Sequence, residues 1–326
     1  MPEKRRLLVC SSWTWLGLLR LSSLLLLRIF MSRAWFKVVS IPSYLFSALL
    51  GLPFQTLNYD LCKLQGSDNP SLDLHLGNLL IQLPSALDNL SEEELYERYG
   101  APEPEAVVRE DGKPLDQGVP SHVILPVWLG EPSEDITRSG AKLLLADFGV
   151  AFRPSTELRY QSYAPPAIRP PEARFEPTTP LSFASDIWSL GCTIRALVAN
   201  RPLVEMILST EDDVTAQHVD ALGPLPDEWW GKWGAWNKYF TEPSAAGRPI
   251  EGRWVWSLED RFEAWVQKLR REEGMATLDD KEREAFFKMV RWMLRFKPGD
   301  RPSAKQVLET EWMREWALPE RERLLN

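Results

Sequence analysis

Cysteine and histidine are scarce in this chain, which contains three of each among 326 residues. The cysteines, Cys10, Cys62 and Cys192, have no paired spacing, so the sequence gives no sign of a disulfide framework or a zinc site. Three histidines are too few for a histidine-rich metal site. This composition is typical of a reducing compartment, and we therefore expect an intracellular protein, cytoplasmic or nuclear.

Positive charge is concentrated at the N-terminus and is scarce elsewhere. Residues 1–40 contain seven Lys or Arg and one Glu, a local charge of +6, and the whole chain has a net charge of −8. Residues 41–326 therefore carry a charge of −14. A folded part this acidic does not favour direct nucleic-acid binding, whereas it suits a basic peptide.

Long apolar runs without charge or proline are missing as well. The run at 7–30 contains Arg20 and Arg28, and an arginine costs about 2.5–3.5 kcal/mol at the centre of a spanning helix. The run at 38–54 is uncharged, but it contains Pro42 and Pro53 and is at the short limit for a span. Three interpretations of residues 1–65 stay open: a membrane anchor, a segment without a functional fold of its own, as from a wrong gene model, or an unrecognised packing element.

Two motifs point to phosphoryl-transfer chemistry. Residues 71–80 have the sequence SLDLHLGNLL, in which Asp73 and Asn78 precede an apolar, strand-like run. An Asp at this spacing can orient a hydroxyl nucleophile and accept its proton, and the Asn can hold a magnesium ion on the phosphates. Residues 143–149, LLLADFG, predict a strand that presents the carboxylate of Asp147 in a tight turn. Gly149 is expected to adopt backbone angles that other residues avoid.

These stretches resemble the catalytic loop and the DFG metal-binding turn of the eukaryotic protein kinase fold. The details are similar to the SR-protein kinase family, serine/threonine kinases that phosphorylate Ser-Arg-rich proteins. The resemblance covers about residues 66–318 and leaves 319–326 as a tail. It implies an α+β fold, namely a mainly helical kinase C-terminal lobe with a small β element at the catalytic loop. It also implies ATP and Mg²⁺ as cofactors, Asp73 as the catalytic base, and Asn78 and Asp147 as metal ligands.

The sequence departs from the kinase pattern at two places. In the catalytic loop, His75 replaces the Lys that neutralises the transferred phosphate, and a His is only partly charged at neutral pH. Before residue 66 the only glycines are Gly17 and Gly51, so no GxGxxG loop exists there and we recognise no N-terminal lobe.

Three further motif residues are structural by resemblance. Glu172 ends the activation segment in the sequence RPPE, and Asp186, in DIWSLG, would hold the catalytic loop through its backbone N–H groups. Arg301 follows an amphipathic helix predicted over 281–296, and it is expected to form a buried ion pair with Glu172. Ser185 or Asp186 is expected to cap a helix that runs through residue 198 and places Cys192 in the core.

The resemblance also implies an insert at about residues 84–141, since Asp147 follows Asn78 by 69 positions. The insert has 13 acidic and four basic residues, so it either attracts an Arg-rich substrate or is a solvated loop. Ser91 and Glu94 predict a capping box that opens a short helix, which Gly100 closes, and several prolines predict extended loop elsewhere. Seven tryptophans farther along predict an interface or, more simply, internal packing: Trp229, Trp230, Trp233, Trp236, Trp254, Trp256 and Trp265.

Three functions are compatible with these observations. The first is a serine/threonine kinase whose nucleotide-binding lobe is missing from this sequence. The second is a pseudokinase or kinase fragment that acts as a binding module. The third is a small-molecule kinase of the aminoglycoside-phosphotransferase type, which explains His75 but not the motifs at Glu172, Asp186 and Arg301. We expect the chain as written to transfer phosphate poorly.

Overall fold

The computed structural model describes residues 76–81, 85–127, 143–199, 201–206, 209–245 and 247–319. The chain divides into two compact units. Of the described residues, 85–127 belong to the first unit, and 76–81 together with 143–319 belong to the second. The apolar runs at 7–30 and 38–54 lie outside the described residues. Among the described helices, none is both long and apolar enough to cross a bilayer.

The described part of the first unit contains a 3₁₀ turn (Ser85–Asn89), one helix and one pair of strands. Helix α1 (Glu92–Tyr99) begins with the predicted capping box: the Ser91 hydroxyl accepts from the Glu94 amide, and the Glu94 carboxylate accepts from the Ser91 amide. The predicted extended loop contains regular structure, because a strand at Pro104–Ala106 pairs antiparallel with one at His122–Ile124. No residue of α1 is buried, so this helix presents its acidic first turn to solvent.

The second unit is mainly helical. Its strands are β1 (Leu79–Ile81) and β4 (Leu143–Leu145), and the strands of the first unit are β2 (Pro104–Ala106) and β3 (His122–Ile124). Its α-helices are α2 (Glu172–Phe175), α3 (Phe183–Ala199), α4 (Glu211–Leu222), α5 (Asp227–Trp230), α6 (Leu258–Phe262), α7 (Lys268–Glu272), α8 (Asp280–Met293) and α9 (Ala304–Leu308). A π-helical turn, Glu263–Gln267, joins α6 to α7, and a second one, Met313–Ala317, follows α9. Short 3₁₀ turns lie at Leu76–Asn78, Trp236–Lys238 and Pro298–Asp300.

Helix α3 forms the centre of this unit. It buries 14 of its 17 residues, and a helix that is buried on all sides belongs to the core of a large domain. The close approach of α8 requires Gly191, because a Cβ there would lie 3.0 Å from Leu294 Cδ2 and 3.1 Å from Met293 Cβ. Cys192 is buried as predicted, and burial raises the pKa of its thiol to about 12, so the thiol is inert at neutral pH.

The C-terminal part of the second unit contains the expected amphipathic helix and a further helix that begins with a capping box. The helix expected at 281–296 is α8, which begins after Asp279 and ends three residues earlier than expected, at Met293. Helix α9 begins with the capping box of Ser303 and Gln306. Asp279 caps α8 and Ser303 caps α9: each side-chain oxygen accepts from a first-turn backbone amide, which has no acceptor within the helix. These hydrogen bonds fix the residue at which each helix begins.

The tryptophans serve mainly in internal packing. Trp229, Trp230 and Trp233 are buried, and Trp229 stacks on Phe175 with 5.1 Å between ring centroids. Trp254 is the exception, since 78% of its surface is exposed. Of the two interpretations of the Trp-rich stretch, internal packing therefore holds for Trp229, Trp230 and Trp233 but not for Trp254.

Candidate active site

Two short strands bring the predicted metal ligands together. Strand β1 pairs antiparallel with β4, so that Leu79 lies opposite Leu145 and Ile81 opposite Leu143. Asn78 comes directly before β1 and Asp147 two residues after β4 ends. The ladder continues at this end, where the Ala146 amide donates to the Asn78 carbonyl at 2.8 Å. Residues that are 69 positions apart in the sequence thus share one end of a two-stranded ribbon.

The backbone at Asp147 has an uncommon conformation. Its φ angle is 58°, and within the described ranges it is the only residue other than glycine with a positive φ. This conformation typically costs a non-glycine residue on the order of 1 kcal/mol, and Asp tolerates it better than most. The expectation that Gly149 supplies the special backbone angle is wrong, since Gly149 has no positive φ. Instead its amide donates to Asp147 Oδ1 at 3.4 Å, and this contact helps to orient the carboxylate.

The side chains at this end of the ribbon differ in exposure. Asn78 is buried, with 5% of its surface exposed, whereas Asp147 is exposed. One amide oxygen and one carboxylate are a donor set that fits Mg²⁺, which usually keeps several waters and takes one or two carboxylates together with substrate phosphates. The part of the chain that the structure describes contains no cluster of three or more His, Cys, Asp or Glu side chains suited to a metal.

The remaining residues of the predicted catalytic loop, Asp73 and His75, lie outside the described residues. Asp186 lies in the first turn of α3 and is buried, with 4% of its surface exposed. Residues 71–75 of the predicted catalytic loop lie outside the described residues, so the role of Asp186 stays a prediction.

The predicted ion pair between Glu172 and Arg301 is confirmed. Arg301 Nη1 donates to Glu172 Oε1 at 2.8 Å and Nη2 donates to Oε2 at 2.6 Å, with both residues buried. The guanidinium also donates to three backbone carbonyls, those of Ala184, Arg295 and Phe296, at 2.7–2.8 Å. Arg301 therefore joins the end of the activation segment to the start of α3 and to the chain after α8.

Two neighbours of this pair were not identified from the sequence. Ser185 was expected to cap α3, but the helix begins earlier, at Phe183, and the Ser182 hydroxyl accepts from the Ala184 amide. The Ser185 hydroxyl instead donates to Glu172 Oε1 at 3.0 Å. Trp188 is fully buried, and its ring lies 5.0 Å from the Arg301 guanidinium carbon. The position of Trp188 one turn after Ser185 is a helical spacing that could have indicated a shared partner.

Arg159 fixes the segment that follows Asp147. Its Nη1 donates to the Val150 carbonyl at 2.5 Å, and its guanidinium carbon lies 4.7 Å from the centre of the Phe152 ring. Its own carbonyl accepts from the Leu181 amide at 2.7 Å. One side chain and one carbonyl thereby connect the chain just after Asp147 to the chain just before α3.

The end of the same segment is attached to α4 through Arg174. Its Nη1 donates to the Glu211 carbonyl and to Thr215 Oγ1, both at 2.6 Å, and its Nη2 donates to Asp212 Oδ1 at 2.5 Å. Asp212 Oδ1 also accepts from the Trp233 indole at 2.9 Å. The hydrogen bond from Arg174 holds the pKa of Asp212 below its ordinary value, so this carboxylate stays ionised at neutral pH.

The family comparison agrees with this geometry. The family model described as protein kinase domain matches residues 136–313, which is 178 of the 326 residues and includes Asp147, Glu172, Asp186 and Arg301. Residues 71–78 lie outside the match. No curated protein matches the chain. A mainly helical unit with few strands is compatible with the C-terminal lobe of a kinase, and kinases of this family generally use ATP and Mg²⁺ to phosphorylate proteins. The chain belongs to the protein kinase domain family.

Proposed function

We propose that this chain is a serine/threonine protein kinase of the SR-protein kinase type, with Asn78 and Asp147 as its magnesium ligands. The observation that carries the proposal is the pairing of β1 with β4, which places both residues at one end of a ribbon. The left-handed backbone at Asp147 supports it, because strained conformations concentrate at functional sites.

The roles of the side chains follow from the chemistry of phosphoryl transfer. Asn78 and Asp147 would hold the metal ion, which when bound neutralises charge on the phosphates. Asp73 would accept the proton of the substrate hydroxyl. His75 would contribute positive charge near the phosphate only in the fraction of molecules in which it is protonated.

The negative charge of residues 41–326 supports a basic, Arg-rich protein substrate. Residues 41–326 carry a charge of −14, and the first turn of α1 presents Glu92, Glu93 and Glu94 to solvent. Oppositely charged surfaces attract each other over about 8 Å at physiological salt and raise the rate of encounter. A peptide of Arg-Ser repeats combines this positive charge with hydroxyl acceptors.

We further propose that the polypeptide 1–326 transfers phosphate slowly. Its sequence before residue 66 has no Gly-rich loop to cover the ATP phosphates and no credible strand Lys to hold them. His75 also replaces the catalytic-loop Lys. Since phosphoryl transfer depends on positioning and electrostatics, and one removed donor already costs about 10²–10³ in rate, the combined loss should be severe.

The test is a turnover assay on purified 1–326 with radiolabelled ATP and Mg²⁺. An Arg-Ser repeat peptide is the substrate, a Glu-Ser repeat of equal length is the matched peptide control, and Asp73→Asn is the matched enzyme control. We expect turnover far below about 1 per second, the low end for kinases. We also expect it to favour the Arg-Ser peptide and to disappear in Asp73→Asn.

Each other outcome removes one part of the proposal. Turnover near 1 per second would show that residues 1–65 do supply a working nucleotide site. Turnover that survives Asp73→Asn would exclude Asp73 as the base. Intact Mg²⁺-dependent nucleotide binding with no turnover on any peptide would assign the chain to the binding-module alternative.

A further inference from the structure

The described part of the first unit contains regular structure but no core. None of residues 87–127 is buried, although this stretch includes helix α1 and the ribbon that β2 and β3 form. A single two-stranded ribbon is marginally stable at best in water, and a helix of only eight residues is marginal on its own as well. A further segment that covers the ribbon would supply the missing burial.

The ribbon carries exposed apolar side chains next to carboxylates. Glu105 lies opposite Val123, and the pairing continues because the Leu125 amide donates to the Glu103 carbonyl at 3.0 Å. Opposed residues of an antiparallel pair share a face, and so do residues two apart along one strand. Val123, Leu125, Glu103 and Glu105 therefore share one face, which we call the ribbon surface. All four side chains are exposed.

Much of the negative charge of this part has no positive partner. Residues 85–127 contain ten acidic and three basic residues, a net charge of −7. Arg109 pairs with Asp111 and Asp116, both at 2.9 Å, and Lys113 also lies near Asp111. These contacts occupy two of the three cations. The two glutamates of the ribbon surface form no ion pair with another described residue.

Residues 1–38, which lie outside the described residues, have the complementary composition. They contain seven Lys or Arg and one Glu, a charge of +6 that nearly balances the −7. They also include the apolar run 7–30, in which 16 of 24 residues are apolar. One segment thus offers both kinds of side chain that the ribbon surface requires, apolar groups for its valine and leucine and cations for its glutamates.

We propose that residues 1–38 bind the ribbon surface of their own chain. Apolar side chains of the run 7–30 pack on its valine and leucine, and Lys or Arg side chains pair with its two glutamates. Because the segment belongs to the same chain, its effective concentration at the surface is high, so that individually weak contacts suffice. Of the three interpretations of the N-terminal region, the proposal selects the packing element.

Three other occupants match the ribbon surface less well. An Arg-Ser repeat peptide supplies positive charge but no apolar side chains. A second copy of the same surface would bring like charges together, since each copy carries −7 over residues 85–127. The cytoplasmic leaflet of a membrane is itself negatively charged and would repel this surface.

Hydrogen exchange on full-length 1–326 tests whether the ribbon is covered. The amides of Val107 and Leu125 donate across the ribbon, so they exchange only when it opens. We expect Leu24→Asp/Leu25→Asp to speed their exchange at least about tenfold, because burying one leucine side chain already stabilises by more than a factor of ten. The matched control Leu24→Ile/Leu25→Ile keeps the run apolar and should leave exchange unchanged.

A second pair of variants tests the charge on the ribbon surface. Glu103→Lys/Glu105→Lys should speed exchange of the same amides, whereas Glu284→Lys, at a side chain 70% exposed on the second unit, should not. Exchange within helix α3 should be equal in all variants and shows that the second unit stays folded. If the aspartate variant does not fold, the lysine variant decides, because its substitutions lie at exposed positions.

Cross-linking identifies the occupant. A carbodiimide joins an amine to a carboxylate that it contacts, and an equal mixture of ¹⁴N and ¹⁵N chains separates links within a chain from links between chains. We expect Lys4 or Lys37 to link to the two glutamates of the ribbon surface within one chain. Asp280, whose side chain is 91% exposed on the second unit, is the matched carboxylate and should not link to either lysine.

Three results would overturn the proposal. The first is equal exchange of both ribbon amides in the natural chain and in the folded aspartate variant. The second is cross-linking to the ribbon surface that joins only different chains, which would make a second copy the occupant. The third is binding of the natural chain to vesicles of phosphatidylcholine and phosphatidylserine with ribbon exchange that does not depend on residues 1–38, which would assign the segment to a membrane. These readouts do not involve phosphoryl transfer, so they are independent of the proposed kinase activity.

Discussion

Removing either member of the Glu172–Arg301 pair should destabilise the chain strongly and by unequal amounts. In Glu172→Ala the guanidinium of Arg301 loses its carboxylate but keeps three backbone carbonyls as acceptors. In Arg301→Ala the buried carboxylate keeps only the Ser185 hydroxyl as a donor, and the three carbonyls lose their partner as well. We therefore expect Arg301→Ala to be the more damaging substitution.

The size of this destabilisation follows from the burial of both side chains. The Arg301 side chain is 0% exposed and the Glu172 side chain is 5% exposed. When one of them is removed, water therefore cannot hydrate the charge of the other. Breaking such a pair costs about 3–5 kcal/mol of unfolding free energy, and Arg301→Ala should reach the upper end of that range. The double substitution removes both charges together, so we expect its cost to fall below the sum of the single costs by at least about 1 kcal/mol.

The assay is denaturant unfolding followed by tryptophan fluorescence, with the natural chain, both single variants and the double variant. The matched control is Lys297–Glu228, an ion pair with the same 2.6 Å separation in which both side chains are about half exposed. The double-mutant cycle of this control pair should show no measurable coupling free energy, since solvent screens exposed ion pairs. Because the whole domain is stabilised by only about 5–15 kcal/mol, Glu172→Gln and Arg301→Lys form a milder cycle if the alanine variants do not fold. Additivity within about 0.5 kcal/mol in the buried cycle would refute the reasoning.

Three further predictions concern Asp147 and His218. Asp147→Asn should abolish Mg²⁺-dependent nucleotide binding without loss of stability, because Asn also tolerates a left-handed backbone; unchanged magnesium dependence in calorimetry would exclude Asp147 as a ligand. Asp147→Gly should lose the same binding and gain up to about 1 kcal/mol of unfolding free energy, since it relieves the strain at φ 58°; a less stable variant in denaturant melts would contradict this. Burial lowers the pKa of His218 to about 3 in the native chain. Below about pH 6.5 His218 therefore takes up a proton in the unfolded chain but not in the native chain, and the free energy of unfolding decreases as the pH falls. Between pH 7 and pH 5 the natural chain should lose about 2 kcal/mol more than His218→Phe, and parallel losses in denaturant melts would show that His218 does not titrate in this way.

Local features of this protein could be predicted from local sequence. The capping boxes at Ser91 and Ser303 involve residues three positions apart, so the amino acids that specify them are adjacent in the chain. The strands next to Asn78 and Asp147 follow from short apolar runs in the same way. The ion pair of Glu172 with Arg301 spans 129 positions, and its prediction depended on recognising kinase motifs, since no local rule relates the two residues.

Other features depend on which distant residues meet. The positive φ belongs to Asp147 and not to Gly149. Asp147 lies between the end of the β1–β4 ribbon and the segment that Arg159 holds, and this position is defined only in the folded chain. Composition likewise could not separate buried Trp233 from exposed Trp254, since both lie in one Trp-rich stretch.

The buried Nε2 of His218 in α4, which has no hydrogen-bond partner among the described residues, is the clearest case of a property that only the folded chain has. Nothing in the sequence around His218 distinguishes it from a solvated histidine, and its neighbour Trp188 comes from a different helix. Burial against that ring excludes water from the imidazole, and the resulting desolvation lowers its pKa to about 3. Desolvation depends on the density of surrounding atoms, which chain segments far apart in sequence supply only when they pack together.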